Sequence, residues 1–568
     1  MKLFYLKLKV CLYCFMQEVF NPIKKPQILL IFFFLIIDFF LVIEKKATIM
    51  TLLLLCLFFF SRKYSKQNLH FIYRDRKVNN IFIFFYLLTI TVLTQNYLLN
   101  YEIIDWDISS YLVASNSVLN GALPYEFQWE SKGPLLYYIY SLFIKIVSGN
   151  FVYFKLVNDA VLASVSFILY LIVNEKKSTW VSIISSSVFI LLFSQPWGVS
   201  AYSELYCLFF IALSYYIDLK LGVAKYIPVG ILFALSTLIN QGSILFLIPF
   251  LFKFFTNGNI GQILKLLTGF IVPYIIVISL YINNNLLDVF IATYITIPLE
   301  YTSAQYSNFY ELRVFLRKFF EYNSYLYFAL ITVIVSVPMT IRKTTFININ
   351  TQSFDLMFIA VSLIFYFVGS HNYYHHLLFF LFMISLYIQN ITKPGNIFLV
   401  LTFSMLSLIS ILSLNGKESL ASLNSLDTVY EEYPLRMLAD DLDEYFTEDF
   451  NVLALEYNLV LHYLEKDNYS YIVHHTNFLE PYIISALEEI NYIEVNYIEK
   501  LISSEPDVVI CTEWMIVRGD PIKNPIINCS RDIFSDSYSE LNTDKYFTEN
   551  LNFYNDPYKK IKVFIKNN

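Results

Sequence analysis

The chain is poor in charged residues. Only 15% of its 568 residues are Asp, Glu, Lys or Arg, whereas 57% are hydrophobic and the mean hydropathy is +0.54. Soluble domains carry about 25% charged residues, so this composition excludes an ordinary soluble protein. It predicts a polytopic α-helical integral membrane protein in contact with membrane lipids.

Cysteines are few, and several common catalytic motifs are missing. Cys11 and Cys14 form one C-x-x-C without a second pair, which argues against a zinc site. Cys511 and Cys529 are either a disulfide pair, if their domain is extracytoplasmic, or two free thiols. The sequence has no G-x-x-x-x-G-K-[ST], H-E-x-x-H or G-x-S-x-G motif. A P-loop pump, a metalloprotease of this type and a serine hydrolase of this type are therefore excluded.

Charge is divided unevenly along the chain. Residues 414–568 carry 28 acidic and 12 basic residues, whereas residues 1–413 carry 18 acidic and 28 basic ones. The basic part is the apolar part, as expected if its Lys and Arg lie in cytoplasmic loops. Three regions follow: 1–80, a transmembrane hairpin with a basic cytoplasmic loop; 81–413, a membrane region with an outer loop at 100–154; and 414–568, an acidic domain. No soluble segment is basic, so no nucleic-acid partner is expected.

Apolar runs long enough to approach a membrane span occur along most of the first 413 residues. A spanning helix needs about 20 apolar residues, which predicts about 11 to 13 transmembrane helices. The candidate spans are 27–43, 47–60, 81–99, 155–173, 179–194, 203–219, 226–240, 242–254, 262–282, 325–341, 354–370, 375–390 and 395–413. Around Asn240 the chain is predicted to form two half-length helices, and 134–148 to lie along the outer interface.

The positions of Lys and Arg orient these spans. Segment 61–80 contains six basic residues and one acid, so it is predicted to be cytoplasmic. Alternation from residue 81 then places the loop 100–154 and everything after 413 outside. The expected location is the plasma (inner) membrane of a bacterial-type cell. Short apolar runs at 451–456 and 506–511, with a helix over 481–490 between them, predict a small extracytoplasmic α/β domain.

Charged residues near the predicted membrane ends converge on the outer face. They are Asp105, Asp107, Glu130, Lys132, Glu204, His375 and His376. A carboxylate is suited to deprotonate an acceptor, and a lysine to contact a phosphate. This combination predicts a reaction with a phosphate leaving group. No ligand cluster demands a metal, although a divalent metal is compatible with the set.

Each of these residues also has a structural interpretation. Asp105 or Asp107 could cap the helix predicted at 108–120, since Asp is a favoured N-cap, and Glu204 could cap a helix in the same way. Glu130 and Lys132 could be a solvated surface pair. The two histidines could anchor the chain at the membrane interface beside neighbouring tyrosines.

The spacing in the outer loop resembles a known family. The residues that carry the resemblance are Asp107, Tyr111-Leu112, Leu119-Asn120-Gly121, Pro124-Tyr125, Trp129-Glu130, Lys132, Pro134 and Tyr137-Tyr138. The pattern resembles the first outer loop of C-type (GT-C fold) membrane glycosyltransferases, related to protein O-mannosyltransferases and lipid A aminoarabinose transferase. It covers residues 101–138 closely and the membrane region in layout.

The resemblance implies a GT-C fold and transfer of a sugar, with inversion, from a polyprenyl-phosphate donor to a lipid, glycan or protein acceptor. By the same analogy Asp107, with Asp105 as the alternative, is the catalytic acid of the loop. Lys132 contacts the donor phosphate, while Glu130, Glu204 and His375 or His376 contribute to substrate binding. The alternatives are a lipid-linked glycan flippase or transporter and a surface polysaccharide polymerase or ligase.

Three sites depart from the family pattern. Ile108 follows Asp107 where relatives often have a second acid, so Asp105 and Asp107 both stay candidates for the base. Gly133 replaces the first proline of a Lys-Pro-Pro signature, which is expected to loosen that turn. Asn240-Gln241 stands where several relatives place a Lys or Arg, so more of the phosphate contact is expected to fall on Lys132.

Overall fold

The computed structural model describes residues 80–194, 202–220, 225–256, 259–303, 351–368, 374–390, 404, 415–512, 537–546, 548, 551 and 560–567. The chain divides into two compact units, Met1–Phe71 and Ile72–Asn568. The first unit holds the predicted hairpin and lies outside the described residues. The predicted span 325–341, nearly all of 395–413, and Cys529 lie outside them as well. The predicted domain boundaries stay predictions.

The apolar part of the described chain is helical. Its helices are α1 Asn80–Gln95, α2 Trp106–Leu119, α3 Pro134–Ile146, α4 Phe151–Asn174, α5 Thr179–Phe193, α6 Ser203–Lys220, α7 Tyr226–Thr237, α8 Ile248–Thr256, α9 Ile260–Asn283, α10 Leu287–Ile291, α11 Ile297–Ser303, α12 Thr351–Val368 and α13 Leu378–Tyr387. The bounds of α1, α4 to α9, α12 and α13 follow predicted spans, because a chain in hydrocarbon must satisfy its backbone groups internally. Helices α2 and α3 match the helices predicted at 108–120 and 134–148, whereas α10 and α11 were not predicted.

Three stretches of the described helical chain are long and apolar enough to cross a membrane: Asn80–Leu98, Phe151–Asn174 and Ile260–Asn283. Only 11% of the apolar window in α9 is buried within the protein. Its exposed side chains include Ile271, Ile275 and Ile276. An apolar helix with such exposure is suited to a lipid environment, which supports an integral membrane protein. The total number of spans stays a prediction.

The predicted break near Asn240 is present. Helix α7 ends at Thr237, and a 3₁₀ segment, Gln241–Leu247, precedes α8. The Asn240 side chain accepts a hydrogen bond from the Gly242 amide at 3.1 Å, as an N-cap does. The break therefore places a polar side chain between two apolar helices.

The C-terminal part combines helices with a small sheet. Its elements are α14 Leu426–Glu431, α15 Pro434–Tyr445, β1 Val452–Ala454, α16 Leu459–Tyr463, α17 Pro481–Glu489, α18 Tyr497–Ser503, β2 Val508–Thr512, β3 Tyr538–Glu540 and β4 Ile561–Lys566. The sheet order is β1-β2-β4-β3, with β1 and β2 parallel and the other pairs antiparallel. The two predicted strands and the predicted helix 481–490 are confirmed. Cys511 in β2 is disulfide-bonded.

The loop 100–154 and the C-terminal part are interleaved. Helix α2 is buried from Ile108 to Val118 and packs against both α3 and α16. Trp129 pairs with Ile472 in a parallel β-bridge, in which the Trp129 amide donates to the Tyr471 carbonyl at 2.5 Å and the Val473 amide donates to the Trp129 carbonyl at 3.1 Å. The C-terminal part thus contacts the segment that carries most of the predicted site.

Candidate active site

The start of α2 positions the two loop aspartates differently. Asp105 has extended backbone (φ −149°, ψ 148°), and its Oδ1 accepts a hydrogen bond from the Asp107 amide at 3.0 Å. It is therefore the N-cap of α2, which confirms the structural interpretation for Asp105 and not for Asp107. Burial and the charge of Asp107 raise the pKa of Asp105 to about 7. One oxygen of Asp105 is thus occupied by the start of α2.

Asp107 lies in the first turn of α2 with a quarter of its side chain (25%) exposed. His474 Nε2 lies 3.0 Å from its Oδ1, and the Tyr111 hydroxyl donates to Oδ2 at 3.1 Å. Burial opposes ionisation, but the hydrogen bond and charge of His474, together with Lys132, hold the pKa of Asp107 well below its usual range. The carboxylate is thus ionised, oriented and still accessible.

Glu130 is buried, and its carboxylate organises the loop before α3. One oxygen accepts from the Tyr137 hydroxyl at 2.8 Å and the Lys132 amide at 3.1 Å, and the other accepts from the Ser131 hydroxyl at 2.9 Å. With 3% of its surface exposed, Glu130 is not part of a solvated surface pair. Its contacts fix the backbone of Lys132, whose carbonyl also accepts from the Tyr125 hydroxyl.

The turn at Gly133 is tightly held rather than loosened, so that expectation is wrong. Gly133 has φ −67° and ψ 151°, and its amide donates to the Ile239 carbonyl at 2.9 Å. A Cβ at this position would lie 2.1 Å from the Leu238 carbonyl oxygen. The glycine therefore allows the backbone after α7 to pack directly against the residue that follows Lys132.

Glu204 is fully buried in the first turn of α6. Its carboxylate accepts from the Asn240 amide at 3.0 Å and the Ser203 hydroxyl at 3.1 Å, and it lies 3.6 Å from His376 Nε2. The ring of His375 stacks on Tyr202 at 4.1 Å between centroids. Both histidines are buried, with at most 9% of their surface exposed, rather than lying in an exposed interfacial belt.

Glu204, His375 and His376 form a cluster that could hold a metal ion, since their ligand atoms all lie within 4.8 Å of one another. One carboxylate and two imidazoles are a common donor set for zinc and for divalent iron.

The seven predicted site residues lie in one polar cluster. Lys132 and His375 interact electrostatically with Asp107, and Glu204 interacts with His375. The charges of Asp107, Glu130 and Glu204 all act on the buried Tyr111 hydroxyl. Residues separated by about 270 positions in the sequence thus share one electrostatic environment. Their individual roles remain predictions.

No family model matches the chain, and no curated protein matches it. The solved structures that are similar to it include three at low identity. ArnT from Cupriavidus metallidurans in the apo state is 10% identical with a TM-score of 0.39, over 78% of this chain and 96% of that one. The archaeal oligosaccharyltransferase AglB from Archaeoglobus fulgidus, in complex with an inhibitory peptide and a dolichol-phosphate, is 12% identical with a TM-score of 0.39, over 76% and 69%.

An oligosaccharyltransferase of Archaeoglobus fulgidus in complex with Zn and sulfate is 13% identical with a TM-score of 0.40, over 75% of this chain and 68% of that one. These structures are of GT-C glycosyltransferases, the class that the motif of residues 101–138 also resembles.

Sequence reasoning missed His474 and Asn240 as members of the site. His474 lies in the C-terminal part, 367 residues from the carboxylate that it contacts. The only local signal is the doublet His474-His475 in a segment with few other basic groups. The sequence marks Asn240 as a break between helices and as a replacement for a Lys or Arg, but not as a contact of Glu204, which its side-chain amide makes.

Proposed function

We propose that the protein is a membrane glycosyltransferase that moves a sugar from a polyprenyl-phosphate donor to a lipid, glycan or protein acceptor at the outer face of the membrane. The observation that carries this proposal is the Asp107 carboxylate, which is ionised, held by two donors and partly exposed. It interacts electrostatically with Lys132, a residue type that is suited to bind a phosphate. A base and a phosphate contact are the two groups that this transfer needs most.

In the proposed reaction Asp107 takes the proton of an acceptor hydroxyl or amine. The acceptor atom then attacks the anomeric carbon and forms the new glycosidic bond. The bond between that carbon and the phosphate oxygen breaks, and its electron pair leaves with the polyprenyl phosphate. Lys132 stabilises the developing negative charge. One displacement of this kind inverts the anomeric centre.

Two observations support an extracytoplasmic site. Cys511 is disulfide-bonded, and disulfides persist mainly in oxidising compartments. The acidic C-terminal part also packs on the same loop as the site, through the pairing of Trp129 with Ile472. Both fit the orientation predicted from the basic loop 61–80.

We further propose that Glu204, His375 and His376 hold a divalent cation. Their buried donor atoms suit such an ion in type and spacing. A bound cation would supply positive charge for a phosphate oxygen. The chain's own contribution is to keep Glu204 oriented, which Asn240 and Ser203 do through their hydrogen bonds.

The test is release of polyprenyl phosphate from a polyprenyl-phosphate sugar by the purified protein, with and without candidate acceptors. Asp107→Asn keeps the side-chain shape and removes the base, so it should lower the rate by roughly 10²- to 10⁴-fold. The matched control is Asp288→Asn, because Asp288 is an exposed acid at the start of α10, outside the cluster. The control should retain the wild-type rate.

Full activity of Asp107→Asn would refute the assigned base. A wild-type protein that moves the lipid-linked sugar between leaflets without releasing polyprenyl phosphate would instead be a transporter.

A further inference from the structure

We propose that the C-terminal part completes the catalytic centre, with His474 acting as a positioning residue that holds the Asp107 carboxylate. This inference rests on the proposed function only in calling Asp107 the base. The contact itself is a hydrogen bond of 3.0 Å between His474 Nε2 and Asp107 Oδ1. His474 is buried, with 7% of its surface exposed.

The second ring nitrogen of His474 fixes the direction of the first. The Thr476 amide donates to Nδ1 at 3.2 Å, and the Thr476 hydroxyl lies 2.8 Å from the same atom. An Nδ1 that accepts from a backbone amide leaves the proton of the neutral ring on Nε2, so Nε2 donates to Asp107. Thr476 thus orients His474, and His474 in turn orients Asp107.

The backbone around His474 is anchored to the loop that carries Asp107. The preceding residues pair with Trp129, as described above, and the Asn458 amide donates to the Val473 carbonyl at 3.2 Å. The same Asn458 amide donates to the Ser110 hydroxyl at 2.9 Å, one turn after Asp107 on α2. Because these contacts hold the backbone near both residues, they fix the distance between His474 and Asp107.

The arrangement assigns the base to Asp107 rather than to His474. Both ring nitrogens of His474 are engaged, one with Asp107 and one with Thr476, so neither offers a lone pair to an acceptor. Asp107 uses one lone pair of each oxygen for His474 and Tyr111 and keeps a quarter of its side chain exposed. A carboxylate oxygen has a second lone pair available for the acceptor proton.

Several other ionisable groups face this pair and contribute to its pH dependence. They are Asp105 before α2, Tyr111 on α2, Glu130 and Lys132 in the loop before α3, and His375 before α13. The charge and hydrogen bond of Asp107 outweigh burial and raise the pKa of His474. Loss of His474 should therefore raise the pKa of Asp107, and the acid limb of the rate should move to higher pH.

The activity test compares His474→Ala, His474→Gln and the control His475→Gln. Loss of one hydrogen bond to a charged group predicts a fall in kcat of about 10- to 100-fold for the alanine variant, with little change in KM for the donor. The glutamine amide can still donate to Asp107 and should recover part of the rate. His475 stacks on the His474 ring at 4.8 Å between centroids and also packs against Trp106. Its glutamine variant therefore tests the loss of that ring contact with the hydrogen bond from His474 to Asp107 intact, and it should keep most of the wild-type rate.

A second measurement does not need activity. Infrared difference spectra against pH follow the band of the protonated Asp107 carboxyl, which is assigned by its loss in Asp107→Asn. In His474→Ala this band should appear at higher pH than in the wild type. An unchanged titration would overturn the proposed pairing even if Asp107 is the base. A shifted titration together with an active Asp107→Asn variant would keep the pairing and reject the proposed function.

Discussion

Replacement of Gly133 tests how the loop that carries Lys132 is held. In Gly133→Ala the new Cβ would lie 2.1 Å from the Leu238 carbonyl oxygen and 2.5 Å from its carbon, whereas ordinary contacts begin at 3.4 Å. The backbone after α7 and the turn before α3 must therefore move apart by about 1 Å. Overpacking of this kind costs about 1–3 kcal/mol. The movement also lengthens the hydrogen bond that the Gly133 amide donates to the Ile239 carbonyl.

The expected result is lower thermal stability and a rate that falls by roughly 10²-fold, because Lys132 is displaced with its neighbour. Heat-induced unfolding in detergent and the release of polyprenyl phosphate measure the two effects. The control is Gly261→Ala, since a Cβ at Gly261 meets no atom within 4 Å. That variant lies in the first turn of α9 and should keep the wild-type rate and stability, or gain up to about 1 kcal/mol.

The variant Gly133→Pro distinguishes a turn that is held by a tight contact from a turn that is loose. The φ of −67° suits proline, so in a loose turn the substitution would stabilise the protein by about 0.4–1 kcal/mol. In the structure proline removes the amide that donates to Ile239 and places its ring against Leu238. We therefore expect both variants at Gly133 to be impaired. A Gly133→Ala protein with wild-type stability and rate, or a stabilised Gly133→Pro protein, would refute this reasoning.

Two further predictions concern the proposed cation and the buried Glu102. Elemental analysis of the purified protein should find one divalent cation per chain. The double variant that combines Glu204→Gln and His376→Gln should lose it, and an equal metal content in that variant would contradict the site. Glu102 is buried and accepts from the Leu435 amide at 2.8 Å, and burial raises its pKa from 4.5 to about 7. A carboxyl with a raised pKa binds its proton more tightly when folded, so its contribution to stability is complete below about pH 4.5 and declines up to about pH 7. Glu102→Gln should therefore lose less stability than the wild type between pH 5 and pH 7, and an unchanged pH profile of unfolding would contradict this.

Much of the helical layout follows from the sequence, because one physical constraint dominates it. Apolar runs predict α5 and α9 closely at both ends, and α4 closely at its C-terminal end, since a chain in lipid has few alternatives to a helix. The break at Asn240 is also visible, because a polar side chain followed by a glycine interrupts an apolar run. Strands β1 and β2 follow from short apolar runs between polar turns, whereas β3 and β4 were not predicted.

The site was only partly predictable. Asp107 and Asp105 are near in sequence, so their place at a helix start could be expected, but which one caps the helix depends on backbone geometry. His474 could not be placed, because its contact with Asp107 arises from tertiary packing over 367 residues. The role of Gly133 was misjudged for the same reason, since the carbonyl that excludes a side chain there belongs to Leu238.

The pairing of Trp129 with Ile472 has a consequence for how the protein is made. Synthesis runs from the N-terminus. Helix α2, which carries Asp107, is therefore made long before residues 471–474 are translated. Contacts between such distant segments form late in folding, because the intervening chain must first be ordered. On the proposed assignment of Asp107 as the base, a nascent chain would therefore stay inactive until residues 471–474 pack against the loop that carries Trp129. A truncated product would carry the whole loop and still lack a competent centre.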